Sequence, residues 1–455
     1  MSGVDRSAPP AAGELRPFRF PAFRRERLDN GLELILAPRR EVPLLGALLQ
    51  LPAGGERNPL ERPGLAAMTA SLVDEGTERR SGPELAAAVE RLGGSLASRA
   101  DWNNAEVKAS LLARDLEAGL ALVAEIARQP VFPEAELERL RARALAELLR
   151  RRDQPAVLAE EAVARTLYAG TPYGSLLLGD EASLEALARE EVLGFHAACW
   201  RPAGGALLLV GDFAPEAARA GIEDLFGDWT AAPPAAAPAV VPPAPPERRR
   251  VVVVDRPGAA QTEIRIAQVG VERTHPDRTL LGVLNALLGG KFTSRLNLNL
   301  RERHGYTYGA SSRLVDRRSP GPLVIGAAVA NEVAGAALRE ALGEIERLLR
   351  EPVGEEELAE TRSYLLGVFP YTLQTGGNWL SRLSELTLWG LPDDYFERAL
   401  ERVAEARPED LLELARRHLR PDRAVLVAVG PAETLEPQLR NLGTVEVVGV
   451  PDSRT

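Results

Sequence analysis

One stretch of this chain occurs twice. Residues 190–211 read EEVLGFHAACWRPAGGALLLVG and residues 409–430 read EDLLELARRHLRPDRAVLVAVG, aligned without a gap at an offset of 219 residues. Glu190/Glu409, Leu193/Leu412, Arg201/Arg420, Pro202/Pro421 and Gly211/Gly430 are identical. Each copy reads as an amphipathic helix, a proline stop, and a short apolar strand ending in glycine. The same offset carries Arg27, at the opening of RLDNGLELILA, to Pro246, beside RRRVVVVD. A duplicated α+β domain explains the repeat; chance likeness of two helix–strand joints is the competing explanation.

Between the two copies lies AAPPAAAPAVVPPAPPE, from Ala231 to Glu247. So dense a run of proline and alanine supports neither a helix nor a strand ladder and reads as a semi-rigid extended linker. The expected organisation is therefore a domain at 24–230, a linker at 231–248 and a second domain at 249–450. At 455 residues the chain is too long for a single ordinary core, which agrees.

Within the first half, strands are expected around Leu32–Ala37, Leu44–Leu51, Ser95–Arg99 and Ala105–Leu112. Helices are expected from about Pro63 to Glu75, near Gly82–Leu92, from Asp115 to Arg128 and from Pro133 to Arg152. The second half repeats this order, with helices near Asp277–Leu288, Ala336–Arg350 and Gly354–Leu366. Few strands, much helix and closely spaced strands indicate two α+β domains, each an antiparallel-rich sheet with helices packed on one face.

Composition narrows the function. Apolar content of 45% with 26% charged residues is that of a globular protein. A net charge of −10 argues against a nucleic-acid surface, which needs a concentrated basic face. Arg150-Arg151-Arg152 and Arg248-Arg249-Arg250 have acidic neighbours and read as solvated surface. The single cysteine, Cys199, has no disulfide partner in the chain, which fits a reducing compartment. Beside His196 and Trp200 it could be called a nucleophile with a base, but the apolar run next to it favours a buried structural thiol. The opening MSGVDRSAPPAAGELRPF has no apolar signal core, and no run approaches about 18 apolar residues, so the expected location is cytoplasmic.

Several segments resemble one family. RLDNGLELIL followed by LLQLPAGGERNPLERPGLAAMTASLVDEGT resembles the opening of M16 metallopeptidases, the insulinase, pitrilysin and mitochondrial-processing-peptidase-like family. GGSLASRADWNNA, WRPAGGALLLVGDF and LNLNLRERHGYTYGASS continue the resemblance in order, from about Arg24 to Val447. It implies two homologous M16-type (LuxS- and processing-peptidase-like) domains. In that family the helix after Pro-Gly-Leu-Ala carries His-x-x-Glu-His. Two imidazoles at i and i+4 hold zinc, and the glutamate takes a proton from zinc-bound water. In GLAAMTASLVDEGT those positions hold Ala67, Ala70 and Ser71, and the third ligand position falls on Glu147. Read from the residues alone, Glu147 is surface helix charge. His196, His275, His304 and His418 stand singly, each reading as a surface or capping residue. No catalytic zinc is expected in this chain.

The resemblance further implies an arginine and a tyrosine, seven residues apart in the C-terminal half, that reach substrate beside the zinc. Here they are Arg301 and Tyr308, with Tyr306 as the alternative phenol. A guanidinium offers fixed donors to a peptide carbonyl, and a phenol can donate to a developing oxyanion. Gly305 would let the helix end turn into a strand. Zinc-free subunits of mitochondrial processing peptidase carry a long glycine-rich loop, whereas Gly289-Gly290-Lys291 is only a short turn.

The expectation from the resemblance is a non-catalytic, substrate-binding and activity-completing subunit of a heterodimeric zinc endopeptidase acting on peptides or unfolded segments. It would not be a metallopeptidase alone. Zinc would sit in a homologous partner bearing His-x-x-Glu-His, and neither nucleic acid nor membrane is implied. The competing readings are a peptide-binding pseudo-peptidase and a structural scaffold subunit.

Overall fold

The computed structural model describes residues 18–450 except 231 and 234. Twelve strands among them form two six-stranded mixed sheets. The first half contributes β1 (Arg24–Arg27), β2 (Glu33–Pro38), β3 (Leu44–Leu51), β4 (Ser95–Ala100), β5 (Ala105–Leu112) and β6 (Ala206–Gly211). The second contributes β7 (Arg250–Asp255), β8 (Thr262–Val269), β9 (Ala310–Leu314), β10 (Pro322–Val329), β11 (Val425–Gly430) and β12 (Thr444–Gly449).

The sheet orders are β1-β2-β6-β3-β5-β4 and β12-β7-β11-β8-β10-β9. Five strands therefore repeat in the same spatial order, and only the outermost strand differs. In the first sheet it is the N-terminal β1, antiparallel to β2; in the second it is the C-terminal β12, parallel to β7. The repeated apolar runs become β6 and β11, each central and each buried at every residue. Both run parallel to one neighbour (β2 or β7) and antiparallel to the other (β3 or β8). The amphipathic helices before them are Arg189–Cys199 and Pro408–His418.

Each half lays its own helices on one face of its sheet. In the first, Leu65–Leu72, Leu116–Arg128 and Arg189–Cys199 pack leucines, valines and alanines against Leu34, Leu49, Val107 and Leu209. In the second, Arg278–Asn285, Ala334–Arg350 and Pro408–His418 cover Val251, Ile266, Ile325 and Leu426. The central strands are apolar on both faces, so the other face also needs cover. That cover is exchanged. Helix Pro155–Leu167 of the first half places Leu158, Ala159 and Val163 on Val252, Val427 and Val429 of the second sheet. Helix Gly376–Leu388 of the second half places Leu380, Leu383 and Leu386 on Ile35, Leu48 and Leu208 of the first.

Polar contacts accompany the exchange. Arg265 on β8 is buried and pairs through Nε with Glu160 of the borrowed helix at 2.7 Å, and Arg313 on β9 joins the same carboxylate. Thr387 donates to Gln50 on β3 at 2.8 Å. A further tie binds the two halves near the chain centre. Glu56 is almost fully buried, takes hydrogen bonds from Asn103 and from Arg318 Nε (3.1 Å), and lies beside the Tyr173 hydroxyl. The proline-rich segment leaves the first half with Arg57 donating to Ala235 O, and Val240 is buried with its N–H on Ser319 Oγ.

Leu383 is completely buried against strands that precede it by more than 170 residues. Truncating such a leucine costs about 2–5 kcal/mol. Leu383→Ala should therefore lower the melting temperature and speed amide hydrogen exchange in β2 and β6 of the first half. Exchange raised only around residues 376–388 would show that the helix does not support the first sheet.

Candidate functional site

Helix Leu65–Leu72 is entered through Gly64, whose φ of +92° is left-handed. A Cβ there would lie 2.5 Å from Leu178 O, so the turn admits little but glycine. Asn58 Oδ1 accepts the Ala66 N–H at 2.9 Å, satisfying one of the free donors of the first turn. Leu65, Ala66, Met68, Thr69, Ala70 and Leu72 are buried. Ala67 and Ser71, one turn apart, face a cavity of about 700 Å³.

Three further elements wall that cavity: helix Glu134–Arg152 through Leu140, Ala144 and Glu147, strand β4 through Leu96, Ala97 and Ser98, and Leu178. Ala67, Ser71 and Glu147 thus share one cavity, the grouping that the family resemblance implies. Glu147 lines that wall with its side chain 35% exposed and paired with Arg150 along the helix surface. A methyl group and a hydroxyl replace the two imidazoles, and Ala70, at the general-base position, is fully buried. Glu147 is committed to Arg150 at 2.7 and 2.8 Å, which holds its carboxyl below the usual range. One carboxylate neutralised by an arginine does not make a zinc site.

Asp74, three residues before the end of the GLAAMTASLVDEGT motif, also lines the cavity. Burial raises its pKa to about 6; a backbone hydrogen bond opposes the rise and the nearby Glu75 charge adds to it. The sequence offered no sign of this group, because its burial depends on β4 and the Glu134–Arg152 helix closing over it.

The second half builds its candidate residues on an unusual helix. After Arg278–Asn285 the chain makes a π-helical turn at Ala286–Gly290, and a second π-helical segment runs from Asn297 to Arg303. Such turns are rare and often occur at functional sites. Asn297 pins the segment to β9, donating to Ala310 O and accepting from Ala310 N, both at 2.9 Å. Asn299 donates to Glu344 at 2.7 Å. Gly305 ends the segment with φ +64°, and Tyr306 N–H bonds back to Leu300 O at 2.8 Å.

Arg301 is half-buried, its guanidinium 4.4 Å above the Phe292 ring, with Glu302 at 3.6 Å. Tyr308 lies between this segment and β9 and is 94% exposed. Tyr306 stacks on His304 at 4.9 Å and packs against the second core, which leaves Tyr308 as the phenol open to solvent. No hydrogen bond or ring contact joins Arg301 to Tyr308; they share a segment, not a contact. Phe292, 69% exposed beneath Arg301, was not singled out from sequence.

Two other expectations are resolved. Cys199 is buried and its thiol pKa is pushed up by that burial, as befits a structural thiol. His196 Nε2 donates to Ala127 O (3.0 Å) and its ring stacks on Trp200; burial depresses its pKa to about 4, so it is a neutral structural residue. The histidines are not all single, however. His275 and His418 meet with ring centroids 5.3 Å apart, and Asp277 lies between them. Their separation in the chain hid this from sequence reasoning. Among the described residues no helix is long and apolar enough to cross a membrane.

The cavity is expected to retain the geometry of a metal position while lacking the donors. Ala67→His together with Ser71→His should add one zinc per chain over the parent protein, with Glu147 as third ligand, by metal analysis after dialysis. No gain in zinc by a correctly folded double variant would show that this helix does not occupy the metal position.

Comparison with known proteins identifies the family and the fold. Residues 45–181 match the family described as Insulinase (Peptidase family M16), and residues 186–365 match the Peptidase M16 inactive domain. An uncharacterized zinc protease of Mycobacterium tuberculosis is 24% identical over 421 residues, spanning 92% of this chain and 96% of its own. One from Streptomyces coelicolor is 23% identical and covers 79% of each chain. A crystal structure of a peptidase M16 inactive domain from Pseudomonas fluorescens superposes with a TM-score of 0.84 at 25% identity, over 90% of this chain and 98% of that one. A Helicobacter pylori protease shares the fold, with a TM-score of 0.85 at 18% identity, over 91% of this chain and all of that one. The chain belongs to peptidase family M16, combining the family's N-terminal domain with its inactive C-terminal domain, and its sequence contains no His-x-x-Glu-His.

Proposed function

We propose that this chain is the non-catalytic, substrate-holding and activity-completing subunit of a two-chain M16 zinc endopeptidase that acts on peptides or unfolded segments. Its partner would be a homologous chain bearing His-x-x-Glu-His, and the zinc would lie in that partner. The observation that carries the reading is the contrast between the two halves. The two histidine positions hold Ala67 and Ser71 and the base position holds Ala70, while Tyr308 projects almost wholly into solvent from a segment pinned by Asn297 and Asn299. An exposed tyrosine with no role in its own core fits a group meant for something outside the chain.

The chemistry assigned to the pair follows from their donors. Arg301 would bind a substrate carbonyl, its guanidinium steadied by the Phe292 face. Tyr308 would donate to the oxyanion that forms when water attacks the peptide bond at the partner's zinc.

A second reading is favoured by strand β4. It is the last strand of its sheet, borders the cavity that lacks histidine ligands, and leaves one row of backbone N–H and C=O groups without a strand partner. An extended peptide could pair along it, the mode by which sheet edges capture peptides. A chain that only holds peptides in this way would be a pseudo-peptidase, and one that neither holds nor cleaves would be a scaffold.

Kinetics of the reconstituted complex separate these readings. Removing one oxyanion donor costs about 10²–10³ in rate. Tyr308→Phe should lower kcat by roughly that factor or somewhat less while KM changes little, because the bond is made mostly in the transition state. Arg301→Ala should also slow turnover, and Tyr306→Phe, which alters the neighbouring packed phenol, should not. Wild-type turnover by both Tyr308→Phe and Arg301→Ala, in a complex whose activity requires this chain, would refute the assignment.

A further inference from the structure

The fold brings two histidines and an aspartate of the second half together on elements other than those that line the first-half cavity. His275 lies in the turn before helix Arg278–Asn285, Asp277 precedes that helix directly, and His418 is the last residue of helix Pro408–His418. One ligand-capable atom from each of the three lies within 4.8 Å of the other two, and all three side chains are half-buried. His418 Nε2 is 2.8 Å from Asp277 Oδ2, and the rings of His275 and His418 meet edge to face. We infer that His275, Asp277 and His418 form a binding site for a divalent transition cation of the zinc type, independent of the family's peptidase zinc.

The donor set supports that choice. Two imidazoles and one carboxylate suit zinc and its neighbours, whereas calcium and magnesium take oxygen ligands. Tetrahedral zinc with bonds of about 2.0–2.1 Å places its ligand atoms about 3.3 Å apart. The 2.8 Å His418–Asp277 contact needs to open only slightly, and the third atom needs to close by less than two ångströms. The fourth position is left to water or an external ligand, since the site is half-exposed.

Outer contacts orient the ligands, as they do at metal sites generally. The main chain of His418 is held by Gln268 Nε2, which donates to His418 O at 2.7 Å. Arg402 donates to Pro276 O at 2.7 Å, steadying the turn that carries His275 and Asp277. Binding exchanges two hydrogen bonds for coordination: the proton between His418 and Asp277 is released, and the Asp277 amide gives up its 3.1 Å bond to His275 Nδ1. One group works against the ion. Arg417 NH1 lies 3.1 Å from Asp277 Oδ2, but its side chain is 54% exposed and has a second partner in Glu413, so it can withdraw. Because imidazole must be neutral to coordinate, affinity should fall as the pH drops through the histidine range.

Bound metal would tie the C-terminus of the Pro408–His418 helix, which leads into β11, to the start of the Arg278–Asn285 helix, which leads into the π-helical turn and Phe292. Titration calorimetry of the purified chain with zinc chloride at pH 7.5 tests the site, with circular dichroism confirming the fold of each variant. About one equivalent should bind to the parent protein. His275→Asn, Asp277→Asn and His418→Gln should each weaken binding at least tenfold, while Glu147→Gln leaves it unchanged. Arg417→Gln should tighten binding by freeing the carboxylate, an effect that a merely hydrogen-bonded junction would not produce. Absence of zinc binding by the parent, or binding that survives both histidine substitutions, overturns the inference; either result leaves the roles of Arg301 and Tyr308 untouched.

Discussion

The architecture depends on one constraint: central strands that are apolar on both faces must be covered twice. β6 and β11 are buried at every residue, yet each half has helices for only one face of its sheet. The chain meets the requirement by exchanging Pro155–Leu167 for Gly376–Leu388. Burying each of Leu380, Leu383 and Leu386 contributes about 2 kcal/mol, so neither half is expected to be stable without the other. The exchanged helices, rather than the proline-rich segment, then hold the halves together. The buried Glu56, with Arg318 and Asn103 upon it, adds a charged tie whose loss of either partner would leave an uncompensated group.

That fixed relation between the halves gives the two candidate regions their meaning. In the first, the Leu65–Leu72 helix, β4 and the Glu134–Arg152 helix keep a cavity open, although the side chains at its metal position cannot bind an ion or take a proton. In the second, two π-helical turns, the Asn297 pin and the Gly305 turn present Arg301 and Tyr308. Maintaining an exposed tyrosine beside a π-helical segment has no evident benefit to the fold alone. Division of catalytic labour between two chains supplies a reason for it.

Much of this was legible in the sequence where local pattern and spacing suffice. The helix–proline–strand repeat located β6 and β11, and the i, i+4 spacing of Ala67 and Ser71 put both on the cavity face of one helix. Other features depended on contacts between distant segments. The apolar stripe of Pro155–Leu167 says that it packs on something, but not that the partner is the other half's sheet. The raised pKa of Asp74 arises from burial by segments elsewhere in the chain, and His275 meets His418 only when two helix ends converge. The choice between Tyr306 and Tyr308 was open in the sequence, since both follow Gly305. The structure separates them by burial, because Tyr306 packs on His304 and Tyr308 packs on nothing.

The central claim is that this chain completes a site it cannot form alone. The direct test is cleavage of an internally quenched peptide library by the purified chain with added zinc, and by a zinc-bearing M16 homologue from the same genome titrated with it. The account predicts no hydrolysis by the chain alone and a rise in the homologue's turnover that levels off at one chain per homologue. Zinc-dependent hydrolysis by this chain alone, or a homologue whose turnover is unaffected by it, would contradict the account.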